Sequence, residues 1–220
     1  MTLTVVKCGG AALAKEPFVL ERHVALGDQA CVVHGAGGRI TAALDRAGIP
    51  SRFSGGRRVT SAEALPVVRR AFQEENEELC RQIGARAVGL MGDELGLEAD
   101  LLPGLGRVGT LRPIVPDSLR ALLATDCVPV IAPLARGPLN VNADDGAAAL
   151  AIALGADRLV FVSDVAGVVV DGEVLTRLAA GDIAGLHDVL SGGILPKLQA
   201  AVAAAREGVR AEVGRTLVVA

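Results

Sequence analysis

ACVVHGAGGRI, residues 30–40, reads as a short apolar strand from Ala30 to Val33. It runs into the glycine-rich turn His34-Gly35-Ala36-Gly37-Gly38 and then into a helix. A continuous apolar run of this length, closed by turn residues, suits a strand buried on both faces. The same pattern recurs outward from it. Leu3 to Val6 precedes Lys7-Cys8-Gly9-Gly10, and four more such runs follow: Ala87 to Leu90, Val128 to Ala132, Leu159 to Val162 and Leu217 to Val219. Helix-period segments lie between them: Pro17 to Leu26, Gly38 to Ala47, Ala62 to Ile83, Pro116 to Ala124, Asn142 to Leu154 and Pro196 to Glu207. Strands alternating with helices predict an α/β fold whose mainly parallel central sheet is covered on both faces. The stretch from Leu95 to Ile114, with Gly96, Pro103, Gly104, Gly106 and Gly109, reads as hairpins.

Composition narrows the function. A chain of 220 residues suits one domain or one domain with two lobes, and 51% hydrophobic against 21% charged residues excludes disorder. Four Phe, no Tyr and no Trp leave little for stacking on single-stranded nucleic acid. A net charge of −3 argues against a duplex-binding face. No apolar run is long enough to span a membrane, and Met1 to Lys7 lacks the features of a signal peptide. These readings predict a cytoplasmic protein that binds neither nucleic acid nor membrane. Cys8, Cys31, Cys80 and Cys127 form no CxxC pair, so they read as free thiols rather than zinc ligands. The basic residues are more pointed. They number 22, of which only Lys7, Lys15 and Lys197 are lysine. Lysine is a compact point charge and arginine a planar fork, so lysine surviving in an arginine-rich chain marks places that need the former.

Ligands of such sheets bind beyond the carboxyl ends of the strands, and the loops there carry the candidates. Lys7 followed by Gly9 and Gly10 can bring an ammonium and backbone N–H groups to one anion; an ordinary glycine turn with a surface lysine reads equally well. His34 to Gly38 leads into a helix and forms an anion nest. Ile40 occupies the position where a dinucleotide fingerprint needs its third glycine, and no lysine follows a glycine as in a Walker A loop. His34 is read as orienting this loop through a hydrogen bond. In GGRRVT, residues 55–60, an arginine beside glycines can clamp a carboxylate in a bidentate pair. In NVNADDG, residues 140–146, Asn142 suits a helix N-cap and Asp144 and Asp145 its first turn. The alternative role for one of these aspartates is to organise lysines around a transferring phosphate. Lys197 falls in the first turn of a helix, where the macrodipole disfavours a cation, and so points to an anion partner.

Taken in order, VVKCGG, VVHGAGG, GGRRVT, NVNADDGAAALA, VFVSDVAGV and SGGILPK resemble the amino acid kinase family, from Val5 to about Val209. The resemblance implies a three-layer αβα sandwich. Residues 1–135 would bind an acyl amino acid and dimerise, and residues 136–220 would bind the nucleotide. The reaction implied is phosphoryl transfer from ATP, with Mg²⁺, to the side-chain carboxylate of N-acetyl-L-glutamate, on the way to arginine. By this resemblance Lys7 and Lys197 stabilise the transition state and Asp144 holds them. Ala36, Gly37, Arg58 and Asn140 bind the acyl amino acid. Gly9 and Gly10 contact the phosphates. Asp164, Val165, Ala166, Gly167, Val168, Val169, Val189, Leu190 and Ser191 form the nucleotide side. Lys15 matches nothing and reads as a surface residue. The resemblance leaves two alternatives open: a kinase for carrier-bound aminoadipate, and a non-catalytic amino-acid-binding module.

Three departures from the family stand out. Ala36 replaces a glycine, which is harmless only if its φ stays negative. The chain past Gly208 is read as passing through Val209 to Gly214 straight to the last strand, where relatives carry an additional strand and helix. The first strand begins almost at Met1, without an extra N-terminal helix, which predicts a homodimer without arginine feedback.

Overall fold

The computed structural model describes residues 2–9, 29–162, 166–186 and 193–220; the expected Pro17 to Leu26 helix lies outside them. At the centre is an eight-stranded sheet. Across it run β14 (Arg177–Ala179), β16 (Thr216–Val219), β15 (Arg210–Val213), β11 (Arg158–Phe161), β1 (Leu3–Gly9), β2 (Gln29–Gly35), β8 (Val128–Ala132) and β5 (Ala87–Met91). β15 and β16 are antiparallel, and every other neighbouring pair is parallel.

Side chains alternate across the strands and so split the core into two layers. Val5, Val33, Ile131, Leu159 and Phe161 pack with α4 (Asp117–Leu123), α5 (Ala143–Leu154) and α6 (Ile194–Arg206). Val6, Cys8, Val32, Val130 and Val160 face the other way, toward Leu79 of α2 (Ala64–Ile83). α1 (Gly37–Arg46) packs beside α2, joined by Ile40, Leu44, Val68 and Phe72. This is the expected three-layer αβα arrangement. α2 settles closely because β5 offers a glycine: a Cβ on Gly89 would lie 2.2 Å from Asn76 Oδ1.

Smaller elements complete the fold. β3 (Arg52–Ser54) and β4 (Arg57–Val59) form a hairpin. After α3 (Gly92–Leu95), β6 (Ala99–Leu101) and β7 (Val108–Leu111) form the hairpin expected between Leu95 and Ile114. β7 then pairs with β10 (Leu139–Val141), and β10 with β9 (Leu134–Ala135), making a four-stranded sheet. β12 (Val169–Val170) and β13 (Glu173–Val174) form another short hairpin. The direct passage from Val209 to Gly214 is corrected: β15 occupies it and pairs with β11. Charged Arg210 and Glu212 alternate there with buried Ala211 and Val213, so the segment lacks the apolar run that marks its neighbours.

The topology locates the site. From β1 the sheet grows one way through β2, β8 and β5; β11 then returns to the other side of β1 and the order continues outward. The order therefore reverses between β1 and β11, the switch point at which open sheets bind ligands. Lys7 stands near the carboxyl end of β1, and its carbonyl accepts a hydrogen bond from Val162 N–H at 2.8 Å, where the chain leaves β11.

Candidate active site

Lys7 is 7% exposed, and its Nζ lies 2.8 Å from Asp144 Oδ1. Asp144 is placed by local chemistry. Asn142, directly after β10, caps α5: its Oδ1 accepts the N–H groups of Asp144 and Asp145 at 2.8 and 3.1 Å. The cap thus falls to Asn142, which frees the Asp144 carboxylate to meet Lys7. Neither charge is at ease alone in this position, since a buried ion left unpaired costs several kcal/mol.

A cleft of about 190 Å³ opens at this pair, lined by Lys7, Ala36, Gly37, Arg58, Asn140 and Asp144. The structure therefore brings the four expected substrate residues to the same cleft as Lys7 and Asp144. Ala36 is the N-cap of α1, with φ −133° and no side-chain cap, so alanine meets no backbone strain there. A Cβ on Gly37 or Gly38 would meet nothing within 4 Å, so the uncapped start of α1 faces open space. Arg58 is 8% exposed. Its Nη2 donates to the Gly37 carbonyl at 3.1 Å and to Thr41 Oγ1 at 2.8 Å, and its Nη1 donates to the Ser51 hydroxyl. The Phe53 ring lies 4.5 Å from the guanidinium carbon. Burial lowers the Arg58 pKa from its usual value. Asn140 Nδ2 donates to Thr60 Oγ1 at 3.0 Å, and that hydroxyl donates to the Arg58 carbonyl at 3.0 Å, so Asn140 and Arg58 share one polar chain.

Lys197 lies in the first turn of α6, where its Nζ donates to the Gly193 carbonyl at 3.0 Å. α6 begins beside the β3–β4 hairpin: a Cβ on Gly56 would lie 3.0 Å from Pro196 Cγ. Gly56 also belongs to the lining of the cleft that holds Lys7. A Cβ on Gly9 would lie 4.0 Å from Lys7 Nζ, so its backbone is close to the ammonium. Ala166, Gly167 and Val168 pack under the C-terminal turn, where Arg215 N–H donates to the Ala166 carbonyl at 2.8 Å and Val168 N–H to Thr216 Oγ1 at 2.9 Å. Val169 opens β12 and is 43% exposed. Gly10, Lys15, Asp164, Val165, Val189, Leu190 and Ser191 lie outside the described residues.

His34 is fully buried, and its Nε2 lies 3.0 Å from Asn76 Nδ2. The same amide donates to the Val130 carbonyl at 2.8 Å. Asn76 Nδ2 is therefore the donor, Nε2 the acceptor, and the imidazole proton is assigned to Nδ1. Burial pulls the His34 pKa from 6.5 to about 4, so the ring is neutral at physiological pH; its hydrogen bond joins the end of β2 to α2. Asn76 escapes the sequence reading. It continues the buried stripe of α2 formed by Leu65, Val68, Phe72 and Leu79, and a polar residue in an apolar stripe was the signal. Among the described residues, no group of three or more His, Cys, Asp or Glu could hold a metal ion. All four cysteines are free, and burial pushes the Cys8 and Cys31 thiols up to about 12.

The model of the amino acid kinase family matches residues 2–214. The chain belongs to the amino acid kinase family. It is 41% identical to the acetylglutamate kinase of Rubrobacter xylanophilus, over 97% of this chain and 88% of that protein. It is 37% identical to the acetylglutamate kinase of Pseudothermotoga lettingae, over 94% of this chain and 81% of the relative. Among solved structures, smu.665 from Streptococcus mutans superposes with a TM-score of 0.86 at 27% identity, over 99% of this chain and 98% of that one. Carbamate kinase from Giardia lamblia shares the fold, with a TM-score of 0.70 at 15% identity, over 99% of this chain and 98% of that one.

Proposed function

We propose that this chain transfers the γ-phosphoryl group of ATP to the side-chain carboxylate of N-acetyl-L-glutamate, forming N-acetyl-L-glutamyl 5-phosphate for arginine biosynthesis. The observation that carries the reading is the buried Lys7–Asp144 ion pair in the cleft that Arg58 and Asn140 also line. Relatives named acetylglutamate kinase support the choice of substrate.

The chemistry suits such a cleft. A side-chain carboxylate with a pKa of ~4.3 is ionised at neutral pH, so the nucleophile needs no general base. A neutral His34, bonded to Asn76 rather than poised for proton transfer, agrees with that. A carboxylate oxygen bonds to the γ-phosphorus while the bond to the bridging oxygen of ADP breaks, and no proton moves. What remains is positioning and neutralising charge on a loose transition state. Lys7 supplies charge from one side, aimed by Asp144, and Lys197 supplies it from the start of α6. Arg58 clamps the α-carboxylate and Asn140 the acetamido group, with backbone groups of Ala36 and Gly37 beside them. Gly9 and Gly10 hold phosphates, and residues 164–169 and 189–191 form the nucleotide side.

Residues 1–135 act in this reading as the substrate and dimerisation half, and 136–220 as the nucleotide half. Mg²⁺ would enter with the nucleotide phosphates, where it would neutralise charge. The protein would work in the cytoplasm as a homodimer; light scattering should report two chains, and a hexamer would refute that. No described helix is long and apolar enough to cross a membrane.

A hydroxylamine-trap assay with ATP and N-acetylglutamate, aminoadipate derivatives or aspartate in parallel tests the reading. Hydroxamate is expected with N-acetylglutamate. Hydroxamate only with an aminoadipate derivative would reassign the substrate. None with any acceptor, despite measurable ATP binding, would overturn catalysis in favour of a silent binding module.

A further inference from the structure

We infer that Arg57 is a further catalytic residue of the proposed transfer, a guanidinium that hydrogen-bonds the migrating phosphoryl group. The inference deepens the reading above and rests on it. The family resemblance assigns Arg58 and leaves its neighbour without a role.

Arg57 and Arg58 are consecutive on β4, so their side chains leave on opposite faces. In the hairpin register Arg58 stands opposite Phe53 and Arg57 opposite Ser54. Arg58 accordingly turns to Phe53 and the start of α1. Arg57 turns to the start of α5, where its Nη2 lies 2.6 Å from Asp145 Oδ2. Asp145 follows Asp144 in the first turn of α5, so the pair ties Arg57 to the helix start that carries Asp144. Both arginines line the same cleft as Lys7 and Asp144. The two cations would thus serve two ends of one dianionic substrate: Arg58 the anchored carboxylate and Arg57 the reacting one.

The surroundings of Arg57 are those of a group awaiting a ligand. Its Nε is buried and has no hydrogen-bond partner among the described residues. A buried N–H without an acceptor is unfavourable, and a bound oxygen anion would satisfy it. Burial pushes the Asp145 carboxyl up, against the pull of Arg57, and both side chains of the pair stay partly exposed. The carrier is stiff. Gly55 and Gly56 have φ +53° and +75°, the two-residue turn with positive φ at both central positions. The tip of that turn is fixed from two sides: Asn142 Nδ2 donates to the Gly56 carbonyl at 3.5 Å, and a Cβ on Gly56 would lie 3.0 Å from Pro196. Arg57 is therefore held where the starts of α5 and α6 approach, between the elements that carry Asp144 and Lys197.

The transition state of the transfer spreads charge over three equatorial oxygens and over the attacking and leaving oxygens. A planar fork presents two parallel N–H donors to a pair of these oxygens in a fixed geometry, where an ammonium acts as a point charge. Arg57 donates hydrogen bonds and no proton is transferred; the bonds made and broken are those already stated.

The test is steady-state kinetics of Arg57→Ala and Arg57→Lys with ATP and N-acetylglutamate, with and without millimolar guanidinium ion. Melting curves are recorded in parallel. Both variants should lose at least about tenfold in kcat, with the KM for N-acetylglutamate within about threefold of the parent. Guanidinium should restore part of the Arg57→Ala turnover and none of the Arg57→Lys turnover. A kcat within about twofold of the parent overturns the inference while leaving the proposed function standing. A kcat loss without rescue, or one that tracks a lowered melting temperature, also overturns it and makes Arg57 a structural tie. If the parent protein makes no hydroxamate with N-acetylglutamate, the functional reading falls and this inference with it.

Discussion

Lys7 and Lys197 carry the same ammonium, and the fold treats them differently. Lys7 stands on a strand flanked by parallel neighbours on both sides, 7% exposed and ion-paired with Asp144 at 2.8 Å. Lys197 is half-buried in the first turn of α6, donating to the Gly193 carbonyl at 3.0 Å. The first is placed by the core, and its charge survives burial because a partner is built beside it. The second sits against the positive end of a helix, where a main-chain carbonyl offsets the misplacement. If both serve one phosphoryl group, removing either should stop turnover, but only one removal should also threaten the fold.

The largest effect is therefore expected at Lys7. Lys7→Met should cut turnover at least ~10²-fold and destabilise by about 3–5 kcal/mol, because Asp144 is left charged and buried. Adding Asp144→Leu should return much of the stability, read by urea unfolding, and none of the turnover. A Lys7→Met protein as stable as the parent would break the comparison.

The same buried region should show a pH signature. The native His34 pKa is about 4 against 6.5 in the unfolded chain, so the unfolded state binds the proton more readily between those values. Stability from neutral His34 is then fully present above pH 6.5 and fades as pH falls toward 4, on the order of 3 kcal/mol. His34→Gln should flatten that part of the urea-midpoint profile; an unchanged slope would show that His34 does not set it.

At Lys197, replacement by Arg should lower turnover by at least roughly tenfold with an unchanged melting temperature, because a fork cannot occupy a point-charge site. Near-normal turnover would remove Lys197 from the chemistry. The smallest effect should come from the cap that positions Asp144. Asn142→Ala should cost about 1 kcal/mol in urea unfolding, since two N–H groups of α5 lose their acceptor.

Much of this arrangement was legible along the chain. Val128 to Ala132 is a strand with the expected limits, and the expected helix from Asn142 to Leu154 begins one residue later because Asn142 is its cap. The segments carrying Lys7, Arg58 and Asp144 were also marked by their own residues, while Ala36 and Asn140 were expected from the family resemblance, and all five line one cleft. Other features left no such mark. β15 hides behind Arg210 and Glu212, whose charge interrupts the apolar run while Glu212 pairs with both Arg158 and Arg210. Asn76 shows in the sequence as a polar residue in the apolar stripe of α2, but its partner His34, 42 positions away, does not.

Strand runs, the Asn142 cap and the positive-φ glycine turn at Gly55 and Gly56 are settled within a few residues. Their causes are backbone sterics, side-chain periodicity and hydrogen bonds to the nearest N–H groups. Which charges share a desolvated space is settled elsewhere. Lys7 meets Asp144, and Arg57 meets Asp145 across 88 positions, only after eight strands have been ordered and β11 has returned beside β1. Coulomb energy and desolvation depend on distance through space, so no local pattern could disclose those pairings.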